Sequence, residues 1–187
     1  IWAEERLLGV LAHSLPADTA VKYRLALPNR GRPDAAIRMT DGSLLCIDAK
    51  LPIGKFRRLE ENPSEERKNF LGSLRYHINH LSGVLVDPDA GTAPFCILFI
   101  PSEKIHSKIF ELDPGISDFS LGKNVVVASP GSLSTYFSHL SGIGGLESEL
   151  WEQTWRPIQK ESMVEGLFTA ISPQRTPISE SQMKILS

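Results

Sequence analysis

The sequence has little that would tie it to a membrane, to an oxidising compartment or, as a whole, to a polyanion. No apolar run approaches the roughly 20 residues that a membrane-spanning helix needs. Only two cysteines occur, Cys46 and Cys96, and both lie in predicted strands, which is typical of buried, reduced thiols in a cytosolic protein. The formal net charge of −2 provides no overall attraction to nucleic acid. Any such contact must therefore come from a local patch of cations.

Length and composition predict one globular domain with additional C-terminal segments. The chain has 187 residues, of which 41% are hydrophobic and 22% are charged, as in ordinary globular proteins. We expect a core over residues 1–145, a helical extension over 146–171 and a polar tail or linker over 172–187. The first residues show no secretory signal pattern, and a start at Ile1 instead of Met predicts a fragment of a longer protein.

Hydrophobic periodicity predicts helices interleaved with strands. Apolar residues at helical spacing indicate helices, and alternating or continuous apolar runs between turn residues indicate strands. The predicted helices cover 2–15, 64–82 and 103–112, with another beginning at 129, and the predicted strands cover 20–27, 34–39, 44–50, 94–100 and 124–128. This order predicts an α/β fold in which helices flank a mixed central sheet.

The first predicted helix carries a carboxylate on its apolar face. Leu8, Leu11 and Leu15 recur at helical spacing, and Glu4 falls on the same face. A charged group on a buried stripe is costly unless it is paired or binds a metal, so Glu4 is a candidate functional residue. The alternative is that fraying of the helix end lets Glu4 reach water.

Two short segments place two carboxylates and a lysine at the ends of predicted strands. Gly31-Arg32-Pro33-Asp34 precedes one strand, and Leu45-Cys46-Ile47-Asp48-Ala49-Lys50 forms the next. Because side chains two apart in a strand share a face, Asp48 and Lys50 point the same way. Paired carboxylates that hold a divalent cation beside a lysine are what metal-assisted cleavage of a phosphodiester requires. The alternative is structural, with Asp34 ending a loop and Asp48 forming an ion pair with Lys50.

The turn between these two strands decides whether the carboxylates meet. A two-residue Asp41-Gly42 turn would pair Ala35 with Asp48 and bury a charge among apolar side chains. A three-residue loop, Thr40-Asp41-Gly42 with its glycine in the left-handed conformation, pairs Asp34 with Asp48 instead. We therefore predict the three-residue loop, because only that register keeps the apolar residues of both strands together.

The Asp34, Asp48 and Lys50 signature resembles that of the PD-(D/E)xK nuclease superfamily, and further segments resemble the RmuC family of bacterial DNA recombination proteins. Six segments carry this second resemblance in the family's order: Trp2-Ala3-Glu4, Arg32-Pro33-Asp34, Ile47-Asp48-Ala49-Lys50-Leu51-Pro52, Leu74-Arg75-Tyr76-His77-Ile78, Phe99-Ile100-Pro101-Ser102-Glu103 and Val125-Val126-Val127-Ala128-Ser129-Pro130. Two positions differ from the family. Ser82-Gly83-Val84-Leu85 stands where members usually carry a Lys- and Tyr-bearing stretch, and Ala49 stands where they often have Ser.

The resemblance implies a restriction-endonuclease-like core and a metal-dependent DNA nuclease. Asp34 and Asp48 would bind Mg²⁺, with Mn²⁺ as a substitute, and Glu4 and the Ala49 backbone carbonyl would complete the ligand set. Lys50 would orient the attacking water or neutralise charge on the phosphate. The catalytic residues implied are therefore Asp34, Asp48, Lys50 and Glu4. The alternative function is a catalytically silent DNA-binding or scaffold module of the same fold.

DNA is the implied partner, and a cluster of cations beside the signature is its predicted contact. Lys55, Arg57 and Arg58 follow the second carboxylate strand, and His77 belongs to a segment that resembles the family. His77 and His80 are also spaced to hold Zn²⁺, but a satisfied surface histidine is the simpler interpretation. The expected setting is the bacterial cytoplasm, in recombination, genome maintenance or anti-phage defence. Self-association, or association through flanking regions, is compatible with the sequence.

Overall fold

The computed structural model describes residues 2–15, 17, 19–39, 42–50 and 52–140. The helices are α1 (Trp2–Ser14), α2 (Ile53–Glu61), α3 (Pro63–Leu85), α4 (Glu103–Leu112), α5 (Ile116–Leu121) and α6 (Pro130–Leu140). The strands are β1 (Val21–Tyr23), β2 (Ala35–Arg38), β3 (Leu44–Ala49), β4 (Thr92–Phe99) and β5 (Val125–Ala128), with a short 3-10 turn at Pro88–Ala90.

The five strands form one mixed sheet in the order β1-β2-β3-β4-β5. The β1–β2 and β2–β3 pairs are antiparallel, whereas the β3–β4 and β4–β5 pairs are parallel. The two parallel pairs are connected through helices, as parallel strands must be. The prediction of an α/β fold with a mixed sheet flanked by helices is confirmed.

Side chains alternate between two apolar layers, one on each face of the sheet. Leu45 and Ile47 pack with residues of α1 and α6, whereas Cys46 packs with residues of α2 and α3. In β4 the run from Phe95 to Phe99 is buried throughout, because helices cover both faces of that strand. Asp48 continues the Cys46 side of β3, so its side chain faces the layer that contains α3.

The register of β2 and β3 confirms the three-residue loop. Ala35 pairs with Ile47, Ala36 with Cys46 and Ile37 with Leu45. Gly42 has a φ of 87°, in the left-handed region, and the Met39 N–H donates to the Ser43 carbonyl at 2.9 Å. Continued by one residue, this register sets Asp34 opposite Asp48. The apolar residues of both strands share one layer, as the prediction required.

The two cysteines lie side by side in the sheet. Cys46 pairs with Cys96 in the register of β3 and β4, and both are buried free thiols. Burial raises the pKa of Cys46 to about 11, and it raises the pKa of Cys96 as well. The prediction that both thiols are buried is therefore confirmed, and neither thiol is activated as a nucleophile.

Several predicted boundaries were wrong for local reasons. β1 ends at Tyr23 instead of residue 27, because Arg24 takes a left-handed φ of 49° that leaves the extended conformation. The helix predicted over 64–82 begins at Pro63 and runs to Leu85. Helices α2 and α5 were not predicted.

The buried face of α1 differs from the predicted one. Leu8 is 39% exposed, and the buried face contains Leu7, Val10, Leu11 and Ser14 instead.

Apolar spacing and capping residues account for the other helices. Phe70, Leu74, Ile78 and Leu81 form the buried stripe of α3. Ser102 caps α4, and the hydroxyls and amides of Ser129 and Ser132 bond one another at the start of α6, which makes them capping residues. The predicted boundaries at 145/146 and 171/172 lie outside the described residues, as do the extension and tail. No helix within the described ranges has the length and apolarity to span a membrane.

Candidate active site

The two carboxylates of the signature lie where β3 reaches its carboxyl end. Asp48 and Ala49 are the last residues of that strand, and the backbone N–H of Lys50 donates to the Phe99 carbonyl of β4 at 2.9 Å. Alternate residues of a strand bond to opposite neighbours, so the N–H of Ala49 faces β2. The end of the sheet thus presents a free backbone donor on the side from which Asp34 approaches.

Asp34 uses this donor. The Ala49 N–H donates to Asp34 Oδ2 at 2.8 Å, and the Arg24 N–H donates to the Asp34 carbonyl at 3.2 Å. Since the C=O of a strand residue faces the same neighbour as its N–H, the Ala49 carbonyl also lies on the Asp34 side. The structure therefore brings Asp34 to β3, beside the residue whose carbonyl was predicted as a ligand.

Negative charge accumulates around Asp34. Burial raises the pKa of the half-buried Asp34 carboxyl, and the negative charges of Asp48 and Glu4 raise it further. The Ala49 amide and the Arg24 guanidinium act in the opposite direction. Asp48 and Glu4 therefore each lie close enough to Asp34 to repel its carboxylate, and the described groups around Asp34 compensate this repulsion only in part.

His77 on α3 contacts the second carboxylate. Its Nε2 lies 3.0 Å from Asp48 Oδ2, and the two side chains are only 16% and 20% exposed. The His80 ring lies roughly parallel to the His77 ring, with 6.4 Å between the ring centroids. His77 was predicted as a DNA contact, and the structure places it against Asp48 at the site. No spacing rule indicates this contact in advance, because it joins two elements that are distant in the chain.

Glu4 lies near the carboxylates but has a cationic partner. Arg24 Nη2 and Glu4 Oε2 form an ion pair of 2.6 Å, and the Glu4 side chain is 33% exposed. Glu4 does share a helix face with buried Leu7 and Leu11, although Leu8 was assigned to that face wrongly. Arg24 was not identified from the sequence. Arg24 takes a left-handed backbone conformation that is rare for residues other than glycine. Nothing about an arginine at this position indicates that conformation from the sequence.

The predicted DNA-contact cations lie on or next to helix α2. Lys50 is exposed at the end of β3, and Lys55, Arg57 and Arg58 lie on α2. Lys55 and Arg58 line a surface groove of about 570 Å³ together with Lys68 of α3, whereas Arg57 is not among the groove's lining residues. The three cations of α2 are close in sequence, but the helix places only Lys55 and Arg58 in the groove.

The donor chemistry of the carboxylate pair fits a hard cation such as Mg²⁺. The donors at this end of the sheet are carboxylate oxygens and a backbone carbonyl, which are oxygen ligands of the type that Mg²⁺ prefers while it keeps several waters. The hydrogen bonds of Asp34 and Asp48 with described residues use Oδ2 of each carboxylate. Across the described ranges, however, no group of three or more His, Cys, Asp or Glu side chains is arranged to hold a metal ion. The site fits a sparse ligand set better than a closed cage.

Asp34→Asn is expected to stabilise the fold near neutral pH. The folded state raises the Asp34 pKa above its ordinary value of 3.8, so the ionised side chain destabilises the fold as pH rises from about 3.8 through the raised pKa. An amide still accepts the Ala49 N–H bond without the charge. Since solvent screens a half-buried group, we expect a gain of roughly 2–4 °C in Tm at pH 7, or about 1 kcal/mol.

Thermal denaturation from pH 3.5 to 8 measures this effect. The two curves should converge near the acid end, and Asp89→Asn, at an exposed position, serves as the matched control. A lower Tm for Asp34→Asn at pH 7 than for the parent chain would contradict the prediction.

Comparison with known proteins places the chain in a family. A model of the RmuC family matches residues 1–153. The DNA recombination protein RmuC homolog of Zymomonas mobilis is 27% identical over 143 residues, which is 71% of this chain and 32% of that protein. The homologs of Pseudomonas aeruginosa and Yersinia pestis are 26% and 25% identical over 144 residues, again 71% of this chain, and 32% and 30% of the relatives.

These matches concern only a part of each relative. The chain spans about a third of the length of the curated relatives that it matches. No solved structure gives a significant match. The family model nevertheless covers most of the chain, including every element of the sheet and both signature carboxylates. The chain belongs to the RmuC family.

Proposed function

We propose that this chain is the catalytic part of a Mg²⁺-dependent DNA nuclease of the PD-(D/E)xK type, with a restriction-endonuclease-like core. The observation that supports it best is the β2–β3 register, together with the bond from the Ala49 N–H to Asp34 Oδ2. Both features bring the two signature carboxylates to one end of the sheet, with Lys50 adjacent. The curated relatives are named DNA recombination proteins, which agrees with DNA as the substrate.

Each side chain has a distinct role in this proposal. Asp34, Asp48 and the Ala49 carbonyl would hold the ion, and Glu4 would join them directly or through water once it leaves Arg24. When bound there, Mg²⁺ would supply polarisation of the phosphoryl oxygen and a lower pKa for a water molecule. Lys50, exposed beside Asp48, neutralises charge that develops on the phosphate. His77 holds the Asp48 carboxylate in its orientation.

The proposed setting follows from the family and from the thiols. We place the activity in the bacterial cytoplasm, where buried cysteines stay reduced, and in DNA recombination, genome maintenance or defence. Association with a second copy, or through the parts of the relatives that this chain does not span, belongs to the same proposal.

A cleavage assay with a metal titration tests the proposed function. The parent chain is incubated with linear single-stranded and double-stranded DNA in Mg²⁺, in Mn²⁺ and in EDTA. We expect cleavage in both metals and none in EDTA. The double variant Asp34→Asn/Asp48→Asn, purified identically, should be inactive, which excludes a contaminating nuclease. No cleavage by the parent chain in either metal would reject the nuclease.

Two observations favour the second candidate, a DNA-binding module without cleavage. Glu4 and Asp48 already have partners in Arg24 and His77, and no three-ligand metal cluster forms among the described residues. In this case Mg²⁺ would neither raise the Tm nor release cleavage products, while DNA binding would persist in EDTA. Differential scanning fluorimetry with Mg²⁺ therefore distinguishes the two candidates.

A further inference from the structure

A cationic groove lies between α2 and α3, outside the carboxylate site. It has a volume of about 570 Å³, and its lining includes Lys55, Arg58 and Lys68. None of these three cations forms an ion pair with another described residue. Glu66 is the acidic residue of the lining, and its carboxylate accepts a bond of 3.4 Å from the Asn69 side chain. With three cations and one carboxylate in its lining, the groove carries an excess of positive charge.

The groove leads along α3 towards Asp48. Asn69 and Ser73 line it, and His77, which contacts Asp48, follows Ser73 by four residues. Residues four apart lie on one helix face, so this polar face runs about 12 Å from Asn69 to His77. A flexible polymer lying in the groove would therefore be directed at the carboxylate pair.

An exposed aromatic side chain lies on the same face. Tyr76 is 75% exposed, more than any other large hydrophobic side chain among the described residues. It follows Gly72 by four residues and Ser73 by three, so it lies beside the end of the groove. Cations along a groove together with an accessible aromatic ring are typical of sites for single-stranded nucleic acid, in which unpaired bases stack on the ring. The bases of a duplex are already stacked on one another.

We propose that the α2–α3 groove and Tyr76 bind a segment of single-stranded DNA. Its phosphates lie against Lys55, Arg58 and Lys68, and one base stacks on Tyr76. The groove volume of about 570 Å³ lies in the range of pockets for small-molecule ligands. It therefore has room for a few nucleotides of one strand. The inference rests on the proposed function in one respect: the bound strand is the nuclease substrate and reaches Asp34 and Asp48.

Fluorescence anisotropy with the 187-residue chain tests the proposal. The probes are a labelled 16-nucleotide single strand and its duplex, in EDTA and at low salt. We expect the single strand to bind at least fivefold more tightly than the duplex. Tyr76→Ala should weaken single-strand binding about tenfold, while Tyr76→Phe should stay within twofold of the parent chain. Equal affinity for both probes, with no effect of Tyr76→Ala, would overturn the proposal.

Variants of the groove identify its phosphate contacts. Arg58→Ala and Lys68→Ala should each weaken single-strand binding several-fold and reduce its dependence on salt. Lys123→Ala, which removes an exposed charge after α5, is the control and should have no effect. The groove predicts a larger loss for Lys68→Ala than for Arg57→Ala. The reverse order would place the contact on the sequence cluster of α2 and overturn the groove.

Gly72 allows the groove to be blocked without disturbing the fold. A β-carbon at Gly72 would meet nothing within 4 Å, so a side chain can leave the backbone there, and Gly72→Glu adds a carboxylate to the groove lining. We expect at least a tenfold loss of single-strand binding without a loss of Tm, because Glu and Ala both favour a helix interior more than Gly does. Gly72→Ala should bind as the parent does. Unchanged binding by Gly72→Glu would overturn the proposal.

The proposed nuclease and the single-strand site can fail separately. EDTA removes metal-dependent cleavage from the binding assay. A chain that binds single strands through Tyr76 but cleaves no DNA supports this inference and rejects the nuclease. A chain that cleaves DNA while Tyr76→Ala and Gly72→Glu bind normally supports the nuclease and overturns this inference.

Discussion

Lys50→Ala should fold and bind Mg²⁺ as the parent chain does, yet cleave DNA roughly two to three orders of magnitude more slowly. The lysine side chain is exposed at the end of β3 and contributes no ligand oxygen, so its removal leaves the fold and the carboxylates in place. The expected loss is typical of removing one group that stabilises charge in a transition state. Single-turnover cleavage, measured beside metal-binding calorimetry, separates the two effects.

Three variants complete this experiment. Asp48→Asn should lose both metal affinity and cleavage, because an amide is a poorer ligand for a hard cation. Lys50→Arg should restore little activity, since a planar guanidinium does not replace a compact ammonium. Lys123→Ala removes an exposed charge elsewhere and should cleave at the parental rate. Cleavage by Lys50→Ala at the parental rate would reduce Lys50 to a surface charge.

Gly31→Ala should destabilise the fold by about 2–3 kcal/mol and lower the Tm by roughly 5–10 °C. A β-carbon at Gly31 would overlap the backbone carbonyl oxygen of Val84, near the end of α3. The same carbonyl accepts a bond of 3.2 Å from Asn29 Nδ2, so neither side of the contact can move freely. Because Gly31 leads through Arg32 and Pro33 to Asp34, the variant should also displace the first carboxylate.

Gly9→Ala is the matched control for this substitution. A β-carbon at Gly9, inside α1, would meet nothing within 4 Å, so alanine should raise stability by up to about 1 kcal/mol through its helix propensity. Urea unfolding of the two variants and the parent measures both changes. Equal stability of Gly31→Ala and the parent would show that the loop and α3 separate without cost.

The parts of the fold that were predictable depend on local patterns. The β2–β3 register followed from the alternation of apolar residues and from the glycine at residue 42, because a slip of one residue would bury a charge. The buried run in β4 and the stripe of α3 were predictable for the same reason. In each case the signal and the contact lie within one or two neighbouring elements.

The features that were missed depend on tertiary contacts. The pairing of Arg24 with Glu4 and of His77 with Asp48 joins elements that lie far apart in the chain, and no spacing rule links them. Lys55 and Arg58 line the groove and Arg57 does not, because the three residues lie on helix α2. The short segment after Lys50 gave no indication of that helix. Chain direction and helix rotation, not residue type, determine which of these cations share a groove.

The antiparallel β2–β3 hairpin has a consequence for the order in which the protein folds. Its loop closes over a few residues, so the hairpin can form within microseconds, whereas the parallel β3–β4 pair must wait for α2 and α3 to be arranged. The aspartates meet in this early element. We therefore expect acidic repulsion to act on the hairpin before the sheet is complete, and divalent cations to speed its closure.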